Sequence, residues 1–389
     1  MLNANSPAIK PDKKGAIMRI AQLSNHYFPC TGGIEGFVQQ LAENLNKKGI
    51  QCSELCLNKC WDSKNVLKEK EVINGVTVNR MPFLNLRWYK IPKGLLGKII
   101  GFDLVHIHSP GFFIDLLALT KWLHKKKLVV STHGGIFHSK QLGLLKKAYF
   151  HIWWRLLFKA IDFVICDSQH DFELFSKIAP RGKITLIENA VPVEKFLRLE
   201  KQKKKNTFLF VGRLSRNKRI DLLIESFAKI AEKEKDSRLQ IIGRDFEQLL
   251  PELKEKVRQH GLQGNIVFKG EVSEAQLMSA YDESQFFISA SAYEGFGIAI
   301  IEAMAAGAIP VLNNIATFNA FVEDGRNGFI LDFENTEKAA EKILAIMQLG
   351  EKEKEKLGQN CRARSNDFSW QGKIDEYIEV YNKVLGSRM

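Results

Sequence analysis

The sequence predicts an α/β protein of two doubly wound, Rossmann-like domains, and three observations carry that prediction. Its 389 residues exceed what one hydrophobic core usually serves. Short continuous apolar runs alternate with amphipathic helical patterns along nearly the whole chain, the signature of parallel sheets covered on both faces. A charged, aperiodic stretch at residues 196–206 divides the alternation into two series, as a linker would.

Residues 1–16 are polar and read as a flexible tail, leaving 17–195 as the first domain. Residues 19–24 form its first buried strand, followed by a turn-rich loop and an amphipathic helix through Ile34, Phe37, Val38, Leu41 and Leu45. Further strands are expected at 102–108, 128–132, 163–166 and 184–187. The second domain, residues 207–369, repeats the design with strands at 207–211, 239–242, 266–268, 286–289 and 309–312. A last helical stretch, 370–389, is long enough to pack back on the first domain. Open parallel sheets bind ligands beyond the carboxyl ends of their strands, so two such domains facing a central cleft are expected to hold the site there.

All of the +13 net charge lies in residues 1–190, which carry 27 Lys and Arg against 14 Asp and Glu; residues 191–389 carry 30 of each. Such a surface suits nucleic acid or an anionic membrane leaflet. No run of 18 apolar residues occurs, and the polar N-terminus does not resemble a secretory signal, so a cytoplasmic protein is expected. Six dispersed cysteines make no disulfide framework, and thiols in that compartment stay reduced. Cys52, Cys56 and Cys60 recur every four residues but match no zinc spacing, and no metal site is assigned.

The most informative stretch is Glu294-Gly-Phe-Gly-Ile-Ala-Ile-Ile-Glu302, two carboxylates bracketing a glycine turn that enters an apolar helix. Gly297 and Ile298 put free backbone N–H groups and a positive dipole end at the turn, a cradle for phosphate. Glu302, among Ile300, Ile301, Ala303 and Met304, needs a polar partner, since burying an unpaired carboxylate costs several kcal/mol, roughly. Glutamates also sit near helix starts simply because they complement the dipole, so context decides.

That context lies at three other strand ends. The strand at 207–211 leads into Gly212-Arg213-Leu-Ser-Arg-Asn-Lys218, where Arg213 and Lys218 are cations suited to a diphosphate leaving group. The strand at 128–132 ends on His133, beside two glycines that leave room for a ligand. The loop Pro29-Cys-Thr-Gly32-Gly33-Ile34-Glu35-Gly36 lies between the first strand and helix and offers Gly33 to phosphate. It is not the Gly-x-Gly-x-x-Gly dinucleotide fingerprint, which argues against a dehydrogenase.

Together these residues resemble the retaining glycosyltransferases of the GT-B fold, in particular family four, which pair a glycine-rich first loop with a strand-end His, a Gly-Arg…Lys loop and a Glu-x7-Glu segment. The resemblance covers nearly all of the chain beyond the tail. It implies that His133 and Glu294 contact the donor sugar at the reacting centre and that Glu302 holds the nucleotide ribose. Arg213 and Lys218 would neutralise the diphosphate, Gly33 with the backbone of Gly297 and Ile298 would cradle phosphate, and Val272 would meet the base through its backbone. One departure is Arg219, where the family usually carries glycine.

Local wording narrows the branch. Leu117-Ala-Leu-Thr-Lys121, Val129-Val-Ser-Thr-His-Gly-Gly-Ile-Phe-His138, Ile187-Glu-Asn189 and Ile309-Pro310 look like the α-1,3-mannosyltransferases of xanthan- and acetan-type exopolysaccharide assembly. That resemblance implies GDP-mannose as donor and a polyprenyl-diphosphate-linked glycan as acceptor. With no Asp-x-Asp motif, no essential metal or other cofactor is expected. A lipid-linked acceptor suits the charge asymmetry, and two segments are candidates for a membrane contact peripheral to the inner leaflet. Residues 140–161 mix cations with Trp153, Trp154 and Leu157, which fit a membrane interface or the domain core equally, and residues 80–98 carry Trp88 and Tyr89. A UDP-sugar donor or a nucleotide-sugar epimerase of the same fold are the rivals. A nucleic-acid partner is not expected, because it would not explain why Glu294 and Glu302 flank a glycine turn.

Overall fold

The computed structural model describes residues 17–386, apart from 31, 61–62, 64, 87–88, 109–110, 134–148 and 200–202. The chain divides into two units, Met1–Ala190 with Trp370–Met389, and Val191–Ser369. Among the described residues, no helix is long and apolar enough to cross a membrane.

The first unit is built on an eight-stranded sheet. Its strands are β1 (Arg19–Leu23), β2 (Gln51–Leu57), β3 (Lys70–Ile73), β4 (Val76–Met81), β7 (Leu104–His108), β8 (Lys127–Ser131), β9 (Phe163–Cys166) and β10 (Ile184–Leu186). Their order is β10-β9-β8-β7-β1-β2-β4-β3, and only β3 runs antiparallel to its neighbour. Alternate residues of β1 feed opposite cores, Ile20 one and Ala21 and Leu23 the other, as a two-faced sheet requires. The helix Gly33–Lys47 covers the first face with Phe37, Leu41 and Leu45, joined by Trp370, Tyr377 and Tyr381 of the helix Trp370–Leu385. The second face is filled by Ile114 and Leu117 of the helix Phe112–Leu119 and by Trp154 and Phe158.

The second unit has six parallel strands, β11 (Lys204–Val211), β12 (Arg238–Ile242), β13 (Ile266–Gly270), β14 (Ser284–Ser289), β15 (Ile309–Asn313) and β16 (Phe329–Leu331). Their order is β13-β12-β11-β14-β15-β16. The order reverses at β11, which pairs with β12 on one side and β14 on the other. In the first unit β1 plays the same part between β2 and β7. Ligands of open α/β sheets bind at these switch points.

Three features differ from expectation. The linker at 196–206 is not a separate segment: the helix Val193–Leu197 enters it from one side and β11 starts at Lys204 on the other, burying Asn206 and Thr207. Charged side chains on a strand end hid its backbone pairing. Residues 51–57 and 70–81, given no strands from sequence, form β2, β4 and the edge strand β3, and β5 (Phe83–Leu86) pairs antiparallel with β6 (Tyr89–Pro92). Cys30 and Cys60 are joined by a disulfide, contrary to the expectation of six reduced thiols. The reason is topological: β1 and β2 are adjacent and parallel, so the segments leaving their carboxyl ends run side by side.

Candidate active site

At the switch point of the second unit, the loops that follow β11 and β14 are tied together. Asn217 accepts a backbone bond from Ala292 at 2.8 Å and donates its side-chain amide to the Tyr293 carbonyl at 3.2 Å. Lys218 Nζ forms an ion pair with Glu294 Oε1, and Ser291 Oγ donates to the same oxygen at 3.1 Å. The two charged side chains are only 14% and 17% exposed, so the pair is held in a partly desolvated setting where charge interactions are strong. Thr317 Oγ1 donates to the Glu294 carbonyl at 2.9 Å, fixing the turn.

The turn ends at Gly297, the N-cap of the helix Ile298–Ala305, with φ 90°. A Cβ there would press on Ile300 and Phe321 at 3.2 Å, so both conformation and space demand glycine. Gly295 is under no such demand: open space surrounds its missing Cβ. No side chain caps the Ile298 helix, so its first N–H groups are left for a ligand or water. One turn on, Glu302 receives the Tyr281 hydroxyl on Oε2 at 2.8 Å. Burial pushes the Glu302 carboxyl above its ordinary range, opposed by that hydrogen bond.

Arg213 does not join the Lys218–Glu294 pair; its guanidinium stacks 4.9 Å from the Phe246 ring. Arg219 explains the family's glycine. It sits at φ 51°, a left-handed conformation that glycine adopts freely, and here its guanidinium grips Glu334 through two bonds of 2.7 and 3.0 Å. Gly243, at the end of β12, has φ 145°, and a Cβ there would overlap the Gly212 carbonyl. The loops after β11 and β12 can approach closely only because that side chain is absent. A cavity of about 230 Å³ lies beside Arg216 and Arg219, lined also by Asp221 and Glu252. Lys218, Glu294 and Glu302 do not line it, so it is not the site their chemistry defines.

In the first unit His133 follows β8 with φ 43°, a strained conformation for a residue with a side chain. Its ring is 5% exposed and engaged on both nitrogens: Nδ1 lies 3.5 Å from Asp167 Oδ2, and Nε2 lies 3.0 Å from His108 Nδ1. His108 Nε2 meets Gln22 Oε1 at 2.6 Å, and Phe37 packs edge-on against the His133 ring at 4.9 Å. Burial drives the His106 and His108 imidazoles well below their ordinary range. Burial alone would raise the Asp167 carboxyl, but the hydrogen bond and charge of His133, with help from Asn189, bring it below the usual carboxylate range.

Gly33 opens the helix Gly33–Lys47, whose N-terminus has no side-chain cap. The Glu35 carboxylate lies where a Cβ on Gly32 would reach, so a carboxylate already occupies space beside this helix start. Val272 lies between β13 and the helix Glu274–Glu283, half-buried against the core.

Two family models match the chain, "Glycosyltransferase Family 4" over residues 31–195 and "Glycosyl transferases group 1" over 194–364. A GDP-mannose:cellobiosyl-diphosphopolyprenol alpha-mannosyltransferase of Xanthomonas campestris is 30% identical over 95% of this chain and 98% of its own length. The chain belongs to glycosyltransferase family 4. A Komagataeibacter xylinus enzyme of the same name is 29% identical to this glycosyltransferase, over 95% of this chain and 94% of its own. A Rickettsia africae glycosyltransferase structure superposes with a TM-score of 0.75 at 21% identity, covering 95% of this chain and all of that one, a likeness of the GT-B fold.

Within this glycosyltransferase, Lys218, Glu294, Gly297 and Ile298 converge on one switch point, while Arg213 turns to Phe246. Sequence reasoning missed Tyr281, Asp167 and His108. Each sits inside or beside an apolar run and looks like core; only the pairing of β8 with β7 and β9 brings His108 and Asp167 to His133.

Proposed function

We propose that this glycosyltransferase moves mannose from GDP-mannose to a polyprenyl-diphosphate-linked glycan, retaining the anomeric configuration. The observation that carries the reading is the Lys218–Glu294 pair at the β11–β14 switch point, in a chain that aligns end to end with enzymes named for that donor. Glu294 faces the sugar hydroxyls, and Lys218, with Arg213 swung from Phe246, meets the diphosphate as charge builds on it. Glu302, steadied on Oε2 by Tyr281, takes a ribose hydroxyl on Oε1. Gly33 and the backbone of Gly297 and Ile298 hold phosphate, Val272 meets the base, and His133 contacts the sugar. These cations serve the role a metal would, so none is required. Front-face departure and attack, with the leaving phosphate taking the acceptor's proton, needs no enzymic nucleophile.

The test is a panel of radiolabelled GDP-mannose, UDP-glucose, UDP-N-acetylglucosamine and UDP-galactose with membrane lipid extract. Label is expected to enter the organic phase from GDP-mannose. Entry only from a UDP-sugar would overturn the donor, and product formed without acceptor would point to an epimerase.

A lipid-linked acceptor is consistent with an enzyme peripheral to the inner face of the cell membrane, and a surface of the first unit supports that reading. Trp122 is 76% exposed, Ile152 66% and Ile100 69%, with Leu119, Leu123 and Leu156 also exposed. The helices Phe112–Leu119 and Arg155–Leu157 are in contact, and Lys126 Nζ donates to the Ile100 carbonyl at 2.6 Å. Lys125, Lys127, Arg155 and Lys159 are exposed among them. Cations beside unburied Trp and Leu match an anionic bilayer interface. Of the three core-or-interface candidates, Trp154 and Leu157 are buried and Trp153 points outward; residues 140–148 lie outside the described ones. In vesicle flotation, the enzyme is expected to bind phosphatidylglycerol over phosphatidylcholine, and Trp122→Glu with Leu156→Glu to weaken binding about tenfold or more. Equal binding by the variant would remove this surface from the reading.

A further inference from the structure

His133 is held by a set of buried groups that the transfer reaction, as proposed above, does not use. Asp167 leaves β9 beside β8 and meets four side chains: His133 Nδ1 at 3.5 Å, Asn189 Nδ2 at 3.2 Å on the same oxygen, Oδ2, Thr132 Oγ1 at 3.4 Å on Oδ1, and Asp171. Thr132 is itself turned by a 2.5 Å bond to Asp171. Opposite, His108 meets Nε2 of His133, and His108 is fixed in turn by Gln22. Above the ring, Phe37 from the glycine-loop helix packs against both His133 and Trp370. The groups facing this cluster are therefore His106 and His108 of β7, Asp167 and Asp171 after β9, and Tyr377 of the C-terminal helix, which feels the Asp167 charge.

A carboxylate only accepts hydrogen bonds. We propose that Asp167 is the positioning residue for His133: by accepting from Nδ1 it keeps a proton on that nitrogen and holds the ring in the orientation that turns Nε2 to His108. His108 Nε2 donates to Gln22 Oε1, so His108 Nδ1 accepts, and Nε2 of His133 donates to it. A donor sugar that uses His133 replaces His108 there, and Asp167 keeps the ring from rotating when it does. Asp167 thus acts through His133 and touches no substrate. The inference rests on the reading of His133 as a sugar contact.

The test is Asp167→Asn, which keeps size and shape but can present an amide N–H to Nδ1 and so displace its proton. Two readouts are taken. In ¹⁵N–¹H correlation spectra of histidine-labelled protein, His133, identified by its loss in His133→Gln, is expected to carry a proton on Nδ1 in the wild type. That proton is expected to be lost in Asp167→Asn, leaving the ring protonated on Nε2 alone. In donor kinetics kcat is expected to fall about 100-fold, the scale of a misplaced reacting group, with the donor KM within about threefold. An unchanged His133 spectrum or an unchanged kcat overturns the proposal, as does a change confined to KM. If Asp167→Asn fails to fold, Asp167→Ser, which also removes the carboxylate, is read the same way. The spectral arm needs no turnover, so a failure of the mannosyltransferase reading leaves the positioning role separately decidable.

Discussion

Glu294→Gln is expected to fold normally and lose about 100- to 1000-fold in transfer rate, the scale for removing one group that stabilises developing charge in a closed site. The substitution is nearly isosteric. Ser291 Oγ can still donate to the new amide oxygen, and the Thr317 bond runs to the backbone carbonyl and is untouched. What disappears is the charge opposite Lys218 and the second acceptor for a sugar hydroxyl. Both side chains are largely shielded from water, so bulk solvent does not substitute for the lost partner. Initial rates with labelled donor, alongside far-ultraviolet circular dichroism, check this result. Near-wild-type turnover would remove Glu294 from the reacting centre.

Lys218→Met is expected to lose a similar factor, about 100- to 1000-fold, for a separable reason. The methionine keeps most of the aliphatic stem but supplies no positive charge to the leaving diphosphate. It also strands Glu294 without its counter-ion, which alone costs activity if the carboxylate then takes a proton. The double variant Lys218→Met/Glu294→Gln distinguishes the causes. If Lys218 only neutralises Glu294, the double variant is no slower than Glu294→Gln alone, because both substitutions remove the same pair. If Lys218 serves the diphosphate as well, the losses compound and the double variant is slower than either single one. A double variant no slower than Glu294→Gln would overturn the leaving-group role.

Ten parallel strands were legible because each is a continuous apolar run with little freedom except to be buried on both faces; β2, β4 and the short β16, parallel too, were not. The loops that carry Lys218 and Glu294 were legible for the same reason: once β11 and β14 are placed, these residues, 76 apart in the chain, can only follow strand ends. Strand adjacency was not legible. Nothing in Asp167, His108 or Gln22 marks them as partners of His133, since that depends on the order β9-β8-β7-β1 and not on any spacing in the chain. The disulfide failed for the same cause, Cys30 and Cys60 being neighbours only through the pairing of β1 with β2. Arg219 could be flagged as a departure from glycine, but its compensation lies in Glu334, 115 residues away.

The helix Trp370–Leu385 has a consequence for how this molecule is made. Its Tyr381 hydroxyl bonds His106 Nδ1 at 2.8 Å, and its aromatic face completes the core under Phe37. The first unit is therefore interrupted by the whole of the second, and its core stays open until the chain beyond Ser369 has been synthesised. Domains usually fold as units in the order they leave the ribosome. Here Val191–Ser369, a contiguous segment, can close before the unit whose synthesis began first, and the nascent first sheet waits with one apolar face uncovered.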